Sequence, residues 1–123
     1  MMVVAMLLAG AAGAWARYEL SGWVHARART ALPWGTAAVN VTGTAVLAGL
    51  VTAQHAGLVS ASWVMVLGTG FAGAFTTFST WMVESAHLAS EGGRAGLRRA
   101  GINLGAQLLS GSAVAMVVVA LAR

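Results

Sequence analysis

Between Thr76 and Thr80 the chain reads Thr-Thr-Phe-Ser-Thr, four hydroxyls in five residues with one aromatic ring among them. A hydroxyl donates a hydrogen bond, and an aromatic ring carries a positive edge. Asn40 adds an amide donor, and Ser110 and Ser112 add hydroxyls further along. A path lined by such groups, with no carboxylate at its centre, suits a small anion that must exchange its water for protein donors. Catalysis finds no support. The three His, at 25, 55 and 87, lack metal-ligand spacing, and no Ser-His-Asp or Cys-His set can be assembled. The absence of Cys excludes disulfides and thiolate metal sites.

The same residues also bear on the backbone. Glycines at 68, 70 and 73 precede the hydroxyls, and each weakens a helix by about 1 kcal/mol. Clustered hydroxyls compete for backbone partners and bend helices. Together they predict a broken helix. For Gly68 and Gly70 close helix packing is the better reading; the dense cluster at 73–80 is the break itself. The run Gly68-Thr-Gly-Phe-Ala-Gly73 also fits the G-x-G-x-x-G pattern of dinucleotide-binding loops. That loop needs a strand before it, a helix after it and a parallel sheet around it. Trp63–Leu67 could mimic the strand and Glu91 the ribose-binding acid, but the rest of the chain leaves no room for the sheet.

The elements that must position these residues are apolar. Of the 123 residues 59% are hydrophobic and 8% charged, and the mean hydropathy is +0.79. Soluble domains carry about 25% charged residues. Four apolar stretches run over about 2–24, 34–52, 58–83 and 102–121. Each is long enough for a helix crossing a bilayer core, which takes about 20 residues, and none alternates like a barrel strand. The fold class expected is an all-α membrane protein: a single four-span domain over 1–123, with the third helix broken near mid-membrane. Irregular backbone at that depth is tolerated only when buried in protein or lining a water-filled path. Transport proteins use such breaks to bind ions. Pro33 stands where the second helix should begin. The connecting pieces are Ser21–Pro33, Gln54–Gly57 and His87–Arg99. Ala14-Trp-Ala16 looks like a signal-peptidase site, yet no basic residue precedes the apolar run, so the stretch is read as a span.

The seven basic residues are all Arg. They sit in loop-like places rather than along one face, so positive charge flanking membrane spans explains the pI near 11.6 better than nucleic acid does. Inside the spans, Asn103 and Gln107 are read as helix-gluing amides, and Asn40 as either glue or site. Arg17 should face a cavity or the interface, with Glu19 close enough to pair with it. Glu84 is read as marking the membrane surface.

Three stretches are similar to the small bacterial fluoride channels called Fluc or CrcB. They are Gly13-Ala-Trp-Ala-Arg17-Tyr18, Pro33-Trp-Gly35-Thr36-Ala-Ala-Val-Asn40-Val-Thr-Gly43, and Gly70-Phe-Ala-Gly73-Ala-Phe-Thr76-Thr77-Phe78-Ser79-Thr80 followed by Glu84. The likeness extends over essentially the whole chain. It implies passive, fluoride-specific export from the cytoplasm through a multi-pass protein of the bacterial inner membrane. Two subunits would pack antiparallel, with two fluoride pores at their interface. Asn40 would line a pore and Phe78 would turn its ring edge to fluoride, with Thr77, Ser79, Thr80, Trp81, Ser110 and Ser112 along the path and Arg17 at a vestibule. A structural, non-transported sodium ion would be held by the main-chain carbonyls of Gly73 and Thr76. Three departures stand out: Trp81 in place of a second pore phenylalanine, Ala74 in place of the second glycine of a pair, and Gly111 and Ala115 where hydroxyls are expected. The alternative function is a small four-helix proton-coupled multidrug exporter. It needs a carboxylate deep in the first span, and Glu19 is too near that span's end and too near Arg17.

Four spans would place Arg27, Arg29, Arg94, Arg98 and Arg99 on one side, with Arg17 close by, and Arg123 alone on the other. The Arg-rich side is normally cytoplasmic. The bias predicts one dominant orientation with both termini outside. An antiparallel dimer would then need a second, oppositely oriented homologous chain.

Overall fold

A computed structural model describes residues 1–122 and is helical throughout, with no strand among the described residues. The elements are α1 (Met2–Arg27), α2 (Trp34–His55), α3 (Ala61–Val64), a π-helical segment (Met65–Ala72), α4 (Gly73–Phe75), α5 (Phe78–Ser90) and α6 (Gly93–Leu121). Three segments are long and apolar enough to cross a membrane: Trp34–His55, Ala61–Ser90 and Gly93–Leu121. The first helix has 26 residues, but Arg17 and Glu19 end its apolar run at Ala16. That run is shorter than the roughly 20 residues a bilayer core asks for.

The glycine-rich run is where the third segment leaves α-geometry. In the π-helical stretch the ladder is wider by one residue, and the Gly73 N–H reaches back five residues to the Gly68 carbonyl. Such turns are rare and occur mostly as local bulges. Small residues there let α1 come close. A Cβ on Gly70 would lie 2.8 Å from the Met6 carbonyl oxygen, and one on Gly13 would collide with the backbone of Phe71. The reading of Gly68 and Gly70 as packing positions agrees with this: Gly68 lies against Leu47 and Gly70 against α1.

The fourth apolar stretch was expected to begin at about 102, after a polar loop over 87–99. The helix in fact begins at Gly93, and α5 runs on to Ser90. The turn between them is Glu91 and Gly92, with Gly92 at φ 88°. Arg is a good helix former, so Arg94, Arg98 and Arg99 sit on the first turns of α6 rather than in a loop. Polarity marked the edge of the apolar region, not the end of the helix.

The core is thin. Val39, Ala72, Phe75 and Ala100 are buried, while Leu7, Leu8, Trp15, Trp63, Leu108 and Leu109 are exposed. This is a surface suited to lipid or to a partner chain. Pro33 and Trp34 share a cavity wall with Ile102 and Asn103, and Thr36 bonds Glu84. The connection after α1 and the α5–α6 turn therefore lie at one end of the bundle. Arg123, expected alone at the opposite end, lies outside the described residues.

Candidate functional site

The third segment breaks at Thr76 and Thr77, which have extended backbones: ψ 159° at Thr76, and φ −149°, ψ 120° at Thr77. The Thr76 N–H and hydroxyl both donate to the Ala72 carbonyl, at 3.0 and 2.9 Å. In an unbroken helix the next N–H, that of Thr77, would go to Gly73. Instead it donates to Asn40 Oδ1 at 2.8 Å, and Asn40 Nδ2 donates back to the Thr77 carbonyl at 3.0 Å. One amide side chain from α2 thus bonds both backbone groups of the residue at the break, whose N–H has no helical partner and whose carbonyl opens α5. The Thr77 hydroxyl then caps α5, accepting from the Thr80 N–H at 3.3 Å. Asn40 is both helix glue and a member of the site.

From Asn40 a line of amides crosses to α6. Its Nδ2 donates to Gln107 Oε1 at 3.0 Å, Gln107 Nε2 to Asn103 Oδ1 at 2.9 Å, and Asn103 Nδ2 to Ser85 Oγ at 2.9 Å. The gluing role expected of Asn103 and Gln107 is what these bonds perform, joining α2, α5 and α6. Trp81 is fastened to the same place, its indole N–H donating to the Asn103 carbonyl at 3.2 Å.

A groove of about 510 Å³ brings together Asn40, Thr76, Thr77, Phe78, Trp81 and Ser112, with Gly73, Gly111 and Ala115 also in its wall. Phe78 is 69% exposed. It meets Trp81 edge to face, with ring centroids 5.7 Å apart. On the other side of the break a second cavity of about 500 Å³ holds Arg17, Tyr18, Ser21, His25, Thr36, Thr77 and Thr80. Thr77 lines both. Arg17 Nη1 donates to the Thr76 carbonyl at 3.3 Å, which places the guanidinium at the break itself. Ser110 is separated from this set: it faces a third cavity, between α2 and α6, with Asn103 and Gln107. Ser79 is exposed and its hydroxyl lies 3.4 Å from that of Thr77.

Glu84, read as marking the membrane surface, also has a partner inside the bundle. Its Oε1 accepts from the buried Thr36 hydroxyl at 2.7 Å, and its Oε2 is buried with no partner. Glu84 lies one helical turn beyond Thr80, and Thr36 one turn before Asn40, so the spacing of Thr36, Asn40, Thr80 and Glu84 was the signal available. Among the described residues no three His, Asp or Glu gather as metal ligands.

These features define a small all-helical membrane protein whose third segment breaks beside mostly apolar cavities that hold a few polar side chains. The chain belongs to the family described as CrcB-like protein, Camphor Resistance (CrcB), which it matches over residues 4–121. Over 92 residues it is 47% identical to "Fluoride-specific ion channel FluC 1" of Leifsonia xyli, covering 74% of this chain and 66% of that one. It is 42% identical over 86 residues to "Fluoride-specific ion channel FluC" of Acidobacterium capsulatum, covering 69% of each. A third relative, from Geobacter sulfurreducens and bearing the same name, is 46% identical over 92 residues, covering 73% of each. The chain thus spans about two thirds of the length of these relatives.

Proposed function

We propose that the chain is one subunit of a passive, fluoride-specific channel of the bacterial inner membrane. The observation that carries this is the groove in which Asn40, Thr77, Phe78 and Ser112 converge beside a helix break, in a chain whose relatives are named fluoride channels. Fluoride sheds water only where donors or positive edges replace it, and the Ser112 hydroxyl and the Phe78 ring edge line the groove beside Asn40 and Thr77, whose amide and hydroxyl hydrogens serve the break itself. In this reading α1 is the fourth span, its Arg17 covered by the protein at the break rather than exposed to lipid. The break lies near mid-membrane, and an antiparallel partner closes the open side of the groove, where Phe78 is exposed.

A structural sodium ion fits the main chain here in part. The Thr77 N–H goes to Asn40, which releases the Gly73 carbonyl from the bond it would have in a helix. The Thr76 carbonyl has a second lone pair beside its long contact with Arg17. Gly73 and Thr76 would hold sodium through these oxygens, and the ion would supply fixed positive charge where two broken helices meet. The protein reconstituted in liposomes should release fluoride down its gradient, with potassium flux short-circuited, and chloride far more slowly. A fluoride-sensing electrode reads the release. Release that needs a proton gradient sinks the channel reading and favours the exporter.

A further inference from the structure

The hydrogen bonds between α2, α5 and α6 run in a single direction that is fixed at both ends. At one end stands the backbone of Thr77, whose N–H can only donate and whose carbonyl can only accept. Asn40 must therefore turn Oδ1 to the first and Nδ2 to the second. The remaining Nδ2 hydrogen requires an acceptor, so Gln107 must present Oε1. Gln107 is then left with Nε2 toward Asn103, which must present Oδ1. Asn103 is left with Nδ2 toward Ser85, whose hydroxyl hydrogen goes to the Trp81 carbonyl at 2.8 Å. That carbonyl, too, can only accept, and while the Ser85 hydroxyl hydrogen serves it the assignment read from the far end is the same. Turning over Asn40 or Gln107 would set donor against donor and acceptor against acceptor, and turning over Asn103 would set its Nδ2 against Gln107 Nε2. Ser85, Asn103 and Gln107 are 5%, 5% and 7% exposed, so water offers little relief.

We propose that Gln107, Asn103 and Ser85 are positioning residues that lock the Asn40 amide in the orientation the Thr77 backbone selects, the one able to clamp the break. The line starts at the residue capping α5 and ends on a carbonyl in that helix's first turns, so α5's own backbone supplies both of its fixed ends. Helix gluing alone does not require this. A pair of amides that merely joins two helices satisfies itself equally well with both turned over. Here the direction is imposed, and its product is a donor–acceptor pattern at Asn40, which also faces the groove. The orientation itself stands on geometry alone, whereas its consequence for flux rests on the fluoride reading above.

The test follows the Asn40 side-chain amide by NMR in the reconstituted full chain, alongside fluoride efflux. Asn103→Leu cuts the line at similar volume without touching Asn40 and frees Gln107 to turn over. It should shift or split the Asn40 amide resonance and lower efflux about tenfold, the order expected when buried partners are lost. Asn103→Asp keeps an acceptor for Gln107 and should restore a single Asn40 resonance, while its buried carboxylate lowers efflux by repelling the anion. An Asn40 resonance unmoved by Asn103→Leu, or one that shifts or splits in Asn103→Asp as in the Leu variant, overturns the proposal. If Asn103→Leu does not fold, Ser85→Ala cuts the same line at its far end by removing one oxygen, and an unmoved resonance there is equally decisive. A wild-type protein that carries no fluoride refutes the functional reading, while the resonances still decide the relay.

Discussion

On the proposed reading two residues carry most of the chemistry at the break, and they test it differently. Phe78 is exposed beside Trp81, so Phe78→Ala removes a ring without opening the core. It should lower fluoride efflux about tenfold or more and cost less stability than the roughly 3–5 kcal/mol of a core Phe→Ala change. Asn40→Asp places oxygen where Nδ2 now faces the Thr77 carbonyl and Gln107 Oε1. It should cost both flux and stability, the latter by about 1–3 kcal/mol, read from thermal unfolding in detergent. Thr76→Ser keeps the carbonyl and the hydroxyl bond to Ala72 and should conduct like wild type. Assembly with a large organic cation in place of sodium should reduce activity; full activity there would remove Gly73 and Thr76 as an ion site. The break was legible in the sequence because glycines and hydroxyls act on neighbouring backbone. Its clamp was not. Asn40 and Thr77 are 37 residues apart, and nothing local to either states that they meet. The bond between Glu84 and Thr36 was hidden for the same reason, since the two are 48 residues apart.

At the scale of elements, packing of α1 on the third segment depends on two backbones approaching closely. Gly13 and Gly22 lie on the same helix and separate the effect of contact from that of helix propensity. A Cβ on Gly13 would collide with Phe71, whereas one on Gly22 would meet nothing within 4 Å. Gly13→Ala should therefore destabilise the protein by about 1–3 kcal/mol, the usual cost of overpacking. Gly22→Ala should leave it unchanged or stabilise it by up to about 1 kcal/mol, because alanine is the better helix former. Thermal unfolding of both variants in one detergent decides this, and equal shifts would show that the α1 contact does not govern stability. Three of the four apolar stretches coincide with segments long and apolar enough to cross a membrane, while α1 is a long helix whose apolar run stops at Ala16. Helix ends were missed wherever a helix outlasts its apolar run: hydropathy reports where side chains prefer lipid, while the backbone ladder continues until a residue such as Gly92 turns it. The eight-residue π-helical segment had no sequence signal beyond the glycines that also mark packing.

For the whole molecule, the question is which way the chain inserts. Arg27 closes α1, Arg29 follows it, and Arg94, Arg98 and Arg99 open α6. The packing of Trp34 near Ile102, and of Thr36 on Glu84, brings these two regions to one end of the bundle. Short-loop Arg bias sets orientation with the rich side cytoplasmic, and a chain that inserts both ways needs near balance. One orientation is therefore predicted, with the α2–α3 turn outside and the α5–α6 turn inside. An antiparallel dimer then requires a homologous chain of opposite bias. The altered groove wall at Trp81, Gly111 and Ala115 suits a subunit specialised for one half of such a pair. The absence of Cys makes the measurement direct. Ala56→Cys at the end of α2 and Ser90→Cys at the end of α5, both exposed, are labelled separately on intact cells with an impermeant thiol reagent. Ala56→Cys should react and Ser90→Cys should not. Equal labelling at the two sites, or full fluoride flux from this chain purified alone, would mean that helix packing overrides the Arg bias and that two copies of one chain form the pore.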